Sequence, residues 1–125
     1  DFHGFTGPFV QYTHARIKSI LRKERMGEPA SGAASPLLPL EKEVIISLEK
    51  YAALLETACQ EMNPSLVANF AFSLTPLFTS FLVAPSVGRA ETEEKKQLRL
   101  RICVLTANVL KSAMGILGIR VPERM

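Results

Sequence analysis

Leu66 to Val83 carries no charged side chain over 18 consecutive positions. That length reaches the threshold of a membrane-spanning helix, so the run must be covered either by lipid or by the rest of the chain. Asn69, Ser73, Pro76 and Ser80 fall at i, i+4, i+7 and i+11, which draws a weakly polar stripe along one side. Val67, Phe70, Leu74, Phe78 and Phe81 take the other side. Such a pattern predicts a helix lying on a protein core, and no membrane partner. Asn63 and Pro64 supply a cap and first turn for it. Pro76 removes one backbone hydrogen bond and crowds the carbonyl of Phe72, so a kink or break is expected near Phe72 to Leu74.

The rest of the chain shows the same period. Val44, Leu48, Tyr51, Leu55, Ala58 and Met62 recur three and four residues apart, the seam of a bundle helix over 41–61, with a division expected near Tyr51 to Ala53. Tyr51 on that seam is expected in the core. From Glu93 to Leu117 the apolar arc is wide: Leu98, Ile102, Leu105, Val109, Ala113 and Ile116, flanked by Cys103, Leu110, Met114 and Leu117. This helix is expected at the centre of the bundle, with a narrow polar strip at Arg101, Asn108 and Ser112. Gly118 fits a left-handed stop, with Ile119 folding back as its apolar partner. Residues 1–6 read as an N-terminal tail, 27–39 as a flexible loop rich in Pro, Gly, Ala and Ser, 84–92 as a second loop, and 119–125 as a C-terminal tail. Leu37, Leu38 and Leu40 are expected to staple the second helix to the core. With no strand alternation or hairpin dipeptide, the architecture is a single all-α domain, a bundle of four to five helices.

At the N-terminal end, Gly7 to Lys23 is amphipathic. Val10, Ile17 and Leu21 mark its buried side, with Thr13 and Ile20 beside them, while Tyr12, Arg16, Ser19 and Lys23 line the opposite flank. Arg16, Lys18, Arg22, Lys23 and Arg25 are five of the 15 basic residues. A ring and a guanidinium four residues apart suit a nucleic-acid base and a phosphate. A solvated helix face is the competing reading, and cations near a helix C-terminus also complement its dipole. The net charge of +3 is compatible with RNA without singling it out.

Catalytic constellations are missing. His3 and His14 are the neutral-pH bases, the first in the tail and the second bordering the apolar stripe, where a packed or hydrogen-bonded imidazole is expected. No serine or cysteine sits in a nucleophile motif, and no glycine loop precedes a lysine. Cys59 and Cys103 are two thiols without the further ligands a metal site needs, and read as buried free cysteines. No catalytic or metal-binding residue is assigned.

The wording of three stretches goes further. TGPFVQYTHARIKSILRK closely resembles the first helix of the C-terminal DALR-type anticodon-binding domain of arginyl-tRNA synthetases. VLKSAMGILGIRVPERM resembles that family's terminus, and NPSLVANFAFSLTPLFTSF its central helix. The resemblance implies a domain that grips the anticodon stem-loop of an arginine-accepting tRNA, within a class I enzyme that joins arginine to its tRNA using ATP with magnesium. The HIGH- and KMSKS-type signatures of the family are absent here. The active site is therefore expected in a preceding catalytic domain of the same chain, of which this segment, starting at Asp1 without an initiator Met, reads as a piece. A cytoplasmic, monomeric protein is implied.

Matched by motif, the candidate RNA contacts are Gln11, Tyr12 and Arg16 on the first helix and Arg124 and Met125 at the end. Lys23 joins Arg16 as a phosphate contact, and Tyr12 packs against an extruded base. Two structural alternatives stay open: Tyr12 packing against the terminal tail, and Arg16 tying that tail down through Glu123. Phe9, Thr79, Leu82 and Pro76 depart from the family's pattern, so no contact is assigned to the third helix. The reading from another class is a helical protein-interaction module without RNA binding.

Overall fold

In a computed structural model the chain is described over residues 7–24, 36–84 and 92–125. The expected N-terminal tail, the Gly27 stop of the first helix and most of both loops lie outside those residues. Five helices occur among the described residues, and no strand: α1 (Gly7–Lys23), α2 (Pro39–Glu49), α3 (Tyr51–Gln60), α4 (Ser65–Val83) and α5 (Glu93–Ile116). The all-α bundle expected from the periodicity is what forms.

The charge-free stretch is α4, and its neighbours explain why it needs no charge. It packs against each of the other four helices, burying Val67, Ala71, Leu74, Thr75, Phe78 and Phe81. By length and composition it could cross a membrane, with mean hydropathy 1.7; within the bundle its apolar side is met by protein. Helix α5 was expected at the centre. It packs against α1, α2 and α4, meets α3 through Ser112 and buries nine residues, so it shares the centre of the bundle with α4.

Of the kink or break expected near Phe72 to Leu74, the break does not occur: α4 runs as one helix from Ser65 to Val83. Pro76 faces solvent, while residues buried before it (Ala71, Leu74, Thr75) and after it (Phe78, Phe81) hold both halves against the same partners. Packing of that extent outweighs the local penalty of a helix-interior proline, roughly 3 kcal/mol. Beside it the Thr75 hydroxyl donates to the Ala71 carbonyl at 2.8 Å, and that of Thr79 to the Thr75 carbonyl at 3.0 Å.

The 41–61 region divides at Lys50, one residue before the expected division, and the helix begins at Pro39, inside the expected loop. Tyr51 is buried as expected; its hydroxyl pairs with that of Ser112 at 2.7 Å, and its ring lies 5.3 Å from that of Phe70. Met62, expected on the seam, is 88% exposed with φ 51°. The chain leaves α3 there: Asn63 N–H donates to the Ala58 carbonyl and Met62 N–H to that of Cys59, the paired bonds of a left-handed helix stop. The same pair ends α5, where Ile119 N–H donates to the Met114 carbonyl, Gly118 N–H donates to that of Gly115, and Gly118 has φ 78°. Leu105 and Ile116, assigned to the apolar arc, are about half exposed and share the outer face with Asn108 and Ser112. Leu37 is also exposed and Leu38 only half-buried, so of the expected staple Leu40 is the residue that packs against the core.

Helix starts are tied together. Glu41, 2% exposed, accepts from the Leu38 N–H and from Lys95 Nζ, each at 2.8 Å, and Lys95 also donates to the Pro36 carbonyl. Lys96 pairs with Glu24 at 3.1 Å, just past the end of α1. The start of α5 is thereby fixed to α2 and α1. Thr92, placed in the loop by sequence, caps α5 by accepting from the Lys95 N–H.

Three outcomes test this description. Met62→Gly should raise unfolding stability by up to about 1 kcal/mol in urea titrations, because the side chain is in solvent and only its left-handed strain is removed. Gly118→Ala should lower it by about 1 kcal/mol for the converse reason. Contrary to the expectation of two buried thiols, Cys59 is exposed and only Cys103 is buried. Desolvation pushes the Cys103 thiol up to about 11, against a smaller lowering by Arg99. At pH 8 a thiol reagent should therefore consume one equivalent rapidly and the second only after unfolding.

Candidate nucleic-acid interface

The site is built where the terminal tail crosses α1. That helix turns Val10, Thr13, His14, Ala15 and Ile17 inward. Tyr12, Arg16 and Lys23 are exposed and Ser19 partly so, the two-sided pattern expected from the wheel. At the other end of the chain, the left-handed turn at Gly118 reverses the backbone. Ile119 and Val121 then pack against the core, which lays residues 119–125 back over α1.

Three α1 side chains hold the backbone of that tail. Gln11 Nε2 donates to the Arg120 carbonyl at 2.8 Å, and Arg22 Nη1 to the Glu123 carbonyl at 3.2 Å. Between them His14 Nδ1 lies 2.9 Å from the Pro122 carbonyl. A carbonyl oxygen only accepts, so the ring proton sits on Nδ1. All three bonds go to main-chain oxygens, which leaves the tail side chains unconstrained by them.

Beside this crossing is an open groove of about 480 Å³, lined by Tyr12, Arg16, Ser19 and Arg22 of α1 and by Arg124 and Met125 of the tail. Three guanidinium groups and one phenol ring converge on it, and among the described residues no acidic side chain lines it. Tyr12 is 52% exposed and Met125 68%, so both offer apolar surface to a ligand. A flat ring with cations around it can stack a base and neutralise the phosphates flanking it. Among the described residues no group of three His, Cys, Asp or Glu side chains could hold a metal ion.

Of the six residues expected from sequence, the structure brings Tyr12, Arg16, Arg124 and Met125 to one groove. Gln11 is turned to the tail backbone, and Lys23 does not line the groove, lying about 10 Å along the axis from Arg16. The alternative role for Arg16, tying down Glu123, belongs to Arg22, which takes the Glu123 carbonyl and not its carboxylate. Arg22 was counted among the basic residues without a role. It sits about 80° round the helix from Tyr12, and its long side chain makes up the difference.

A helical bundle carrying a basic, aromatic groove at a chain crossing is the architecture of a binding domain. The chain belongs to the DALR anticodon binding domain family, whose sequence profile matches residues 10–125. It is 40% identical to the arginine–tRNA ligase of Flavobacterium psychrophilum and 39% identical to that of Phocaeicola vulgatus. In each case the likeness covers 100% of this chain and 21% of the relative, so the chain spans about a fifth of their length. Among solved structures, the arginyl-tRNA synthetase of Thermus thermophilus superposes with a TM-score of 0.86 at 30% identity, over 100% of this chain and 22% of that one. That of Plasmodium falciparum, at 23% identity and a TM-score of 0.79 over 100% of this chain and 22% of its own, shares the fold.

Proposed function

We propose that this domain reads the anticodon of an arginine-accepting tRNA on behalf of an arginine–tRNA ligase. The observation that carries the reading is the convergence of Tyr12, Arg16, Arg22, Arg124 and Met125 on one groove. An anticodon base has to be swung out of its stack before its edges can be read, and it then needs an apolar surface beneath it. In this reading Tyr12 packs against the extruded middle base, a cytosine, and Met125 closes over it. Arg16 meets a flanking phosphate and Lys23 the next along the stem. Gln11 acts through the tail it holds, in place of the direct contact expected from sequence.

The full-length ligase would attach arginine to its tRNA with ATP and magnesium, as a cytoplasmic and monomeric enzyme. None of that chemistry is assigned to these residues. In this reading ATP, magnesium and arginine are assigned to the catalytic domain of the same chain, because the relatives are arginine–tRNA ligases about five times as long as this chain.

A fluorescence titration tests the reading. The chain is mixed with arginine tRNA and, separately, with a transcript whose middle anticodon cytosine is replaced, each at low and moderate salt. The native transcript should bind tighter by more than about 1 kcal/mol at both salts. Tyr12→Ala should erase most of that difference, and Arg16→Ala should weaken both transcripts alike and lower the salt slope by about 1. Equal binding of both transcripts by the unaltered chain would sink base readout, and no binding at all would favour a protein-interaction module.

A further inference from the structure

His14 is 1% exposed, yet only half of its ring is used. Nδ1 donates to the Pro122 carbonyl, while Nε2 is buried with no partner among the described residues. A buried acceptor without a donor is destabilising, so for stability alone an apolar side chain would serve this position better. What the imidazole supplies is a donor to the tail. Of the three α1 bonds to that tail, this one is partly buried and the other two are exposed. It therefore competes least with water, and it grips the tail two residues before Arg124. A segment without helix or strand holds its position only through such ties, and Arg124 and Met125 are the residues that reach the groove from it.

We propose that His14 is a positioning residue for RNA recognition: by holding the Pro122 carbonyl, its Nδ1–H sets where Arg124 and Met125 stand at the groove. The inference rests on the anticodon-binding reading and adds to it a residue that never meets the RNA. His14 acts on the side of the pocket that the tail supplies, and Tyr12 and Arg16 supply the other side without it.

A pair of variants separates positioning from stability. His14→Asn puts an amide N–H close to the place of Nδ1. His14→Leu has nearly the shape of Asn, lacks the donor and is content in an apolar setting. Both are titrated with arginine tRNA and with the middle-cytosine replacement, and both are melted. Amide hydrogen exchange at 123–125 is followed by NMR without RNA. His14→Leu should melt at or above His14→Asn, yet lose about fivefold in discrimination between the transcripts, the worth of one hydrogen bond, and exchange its tail amides faster. His14→Asn should stay within about twofold of the unaltered chain, a small part of that worth. Equal discrimination by the two variants, whether kept or lost together, overturns the proposal, as does tail exchange that follows melting temperature. If the unaltered chain shows no discrimination, the anticodon-binding reading itself falls and takes this inference with it.

Discussion

The bundle is arranged around the need to cover α4. A helix with no charge along its length cannot be left on a surface, and here four neighbours share the cover. That demand fixes much else. It brings α2 and α3 together on one side despite the division at Lys50, because both must reach α4. It also keeps the helix continuous through Pro76, a residue that removes one of its backbone hydrogen bonds. The ion pair of Glu41 and Lys95 then serves a different purpose from stability. A half-buried pair stabilises little in net terms, but Glu41 of this one also accepts the N–H of a helix start, so one carboxylate joins the starts of α2 and α5.

The groove is made by two chain ends that have little in common as elements. One is an amphipathic helix with a buried side and an exposed basic flank. The other is a short tail without helix or strand, whose conformation comes from the left-handed turn at Gly118, the ring of Pro122 and the apolar contacts of Ile119 and Val121. Neither forms a site alone, and their crossing does.

Most of the fold was legible because it follows from period and punctuation. Val10 and Ile17, Val44 and Tyr51, Leu74 and Phe78 all lie inside where their spacing puts them, and the Gly118 stop formed with its bonds in place. Where the pattern misled, tertiary context was the cause. Met62 has the right spacing for the seam but sits where Pro64 has already ended the helix, so it takes up the left-handed stop that glycine usually fills. Leu105 and Ile116 fit an apolar arc wider than the surface the neighbouring helices offer. For the site, Tyr12 and Arg16 could be read from the wheel and Arg124 and Met125 from the family's wording. His14 could be read as a packed or hydrogen-bonded imidazole, but its partner and that of Arg22 could not, because both are tail carbonyls more than 100 residues away in sequence.

The clasp on the tail has a consequence for how the terminus can vary. Since α1 takes hold of main-chain oxygens, it is blind to which side chains Arg120 and Glu123 carry, and either position could change without loosening it. It is not blind to number. One residue inserted or removed between Gly118 and Pro122 would put the wrong carbonyl opposite each donor and carry the last two residues past the groove or short of it. Residues 119–125 are thus specified as a spacing, counted from a left-handed turn, before they are specified as a sequence.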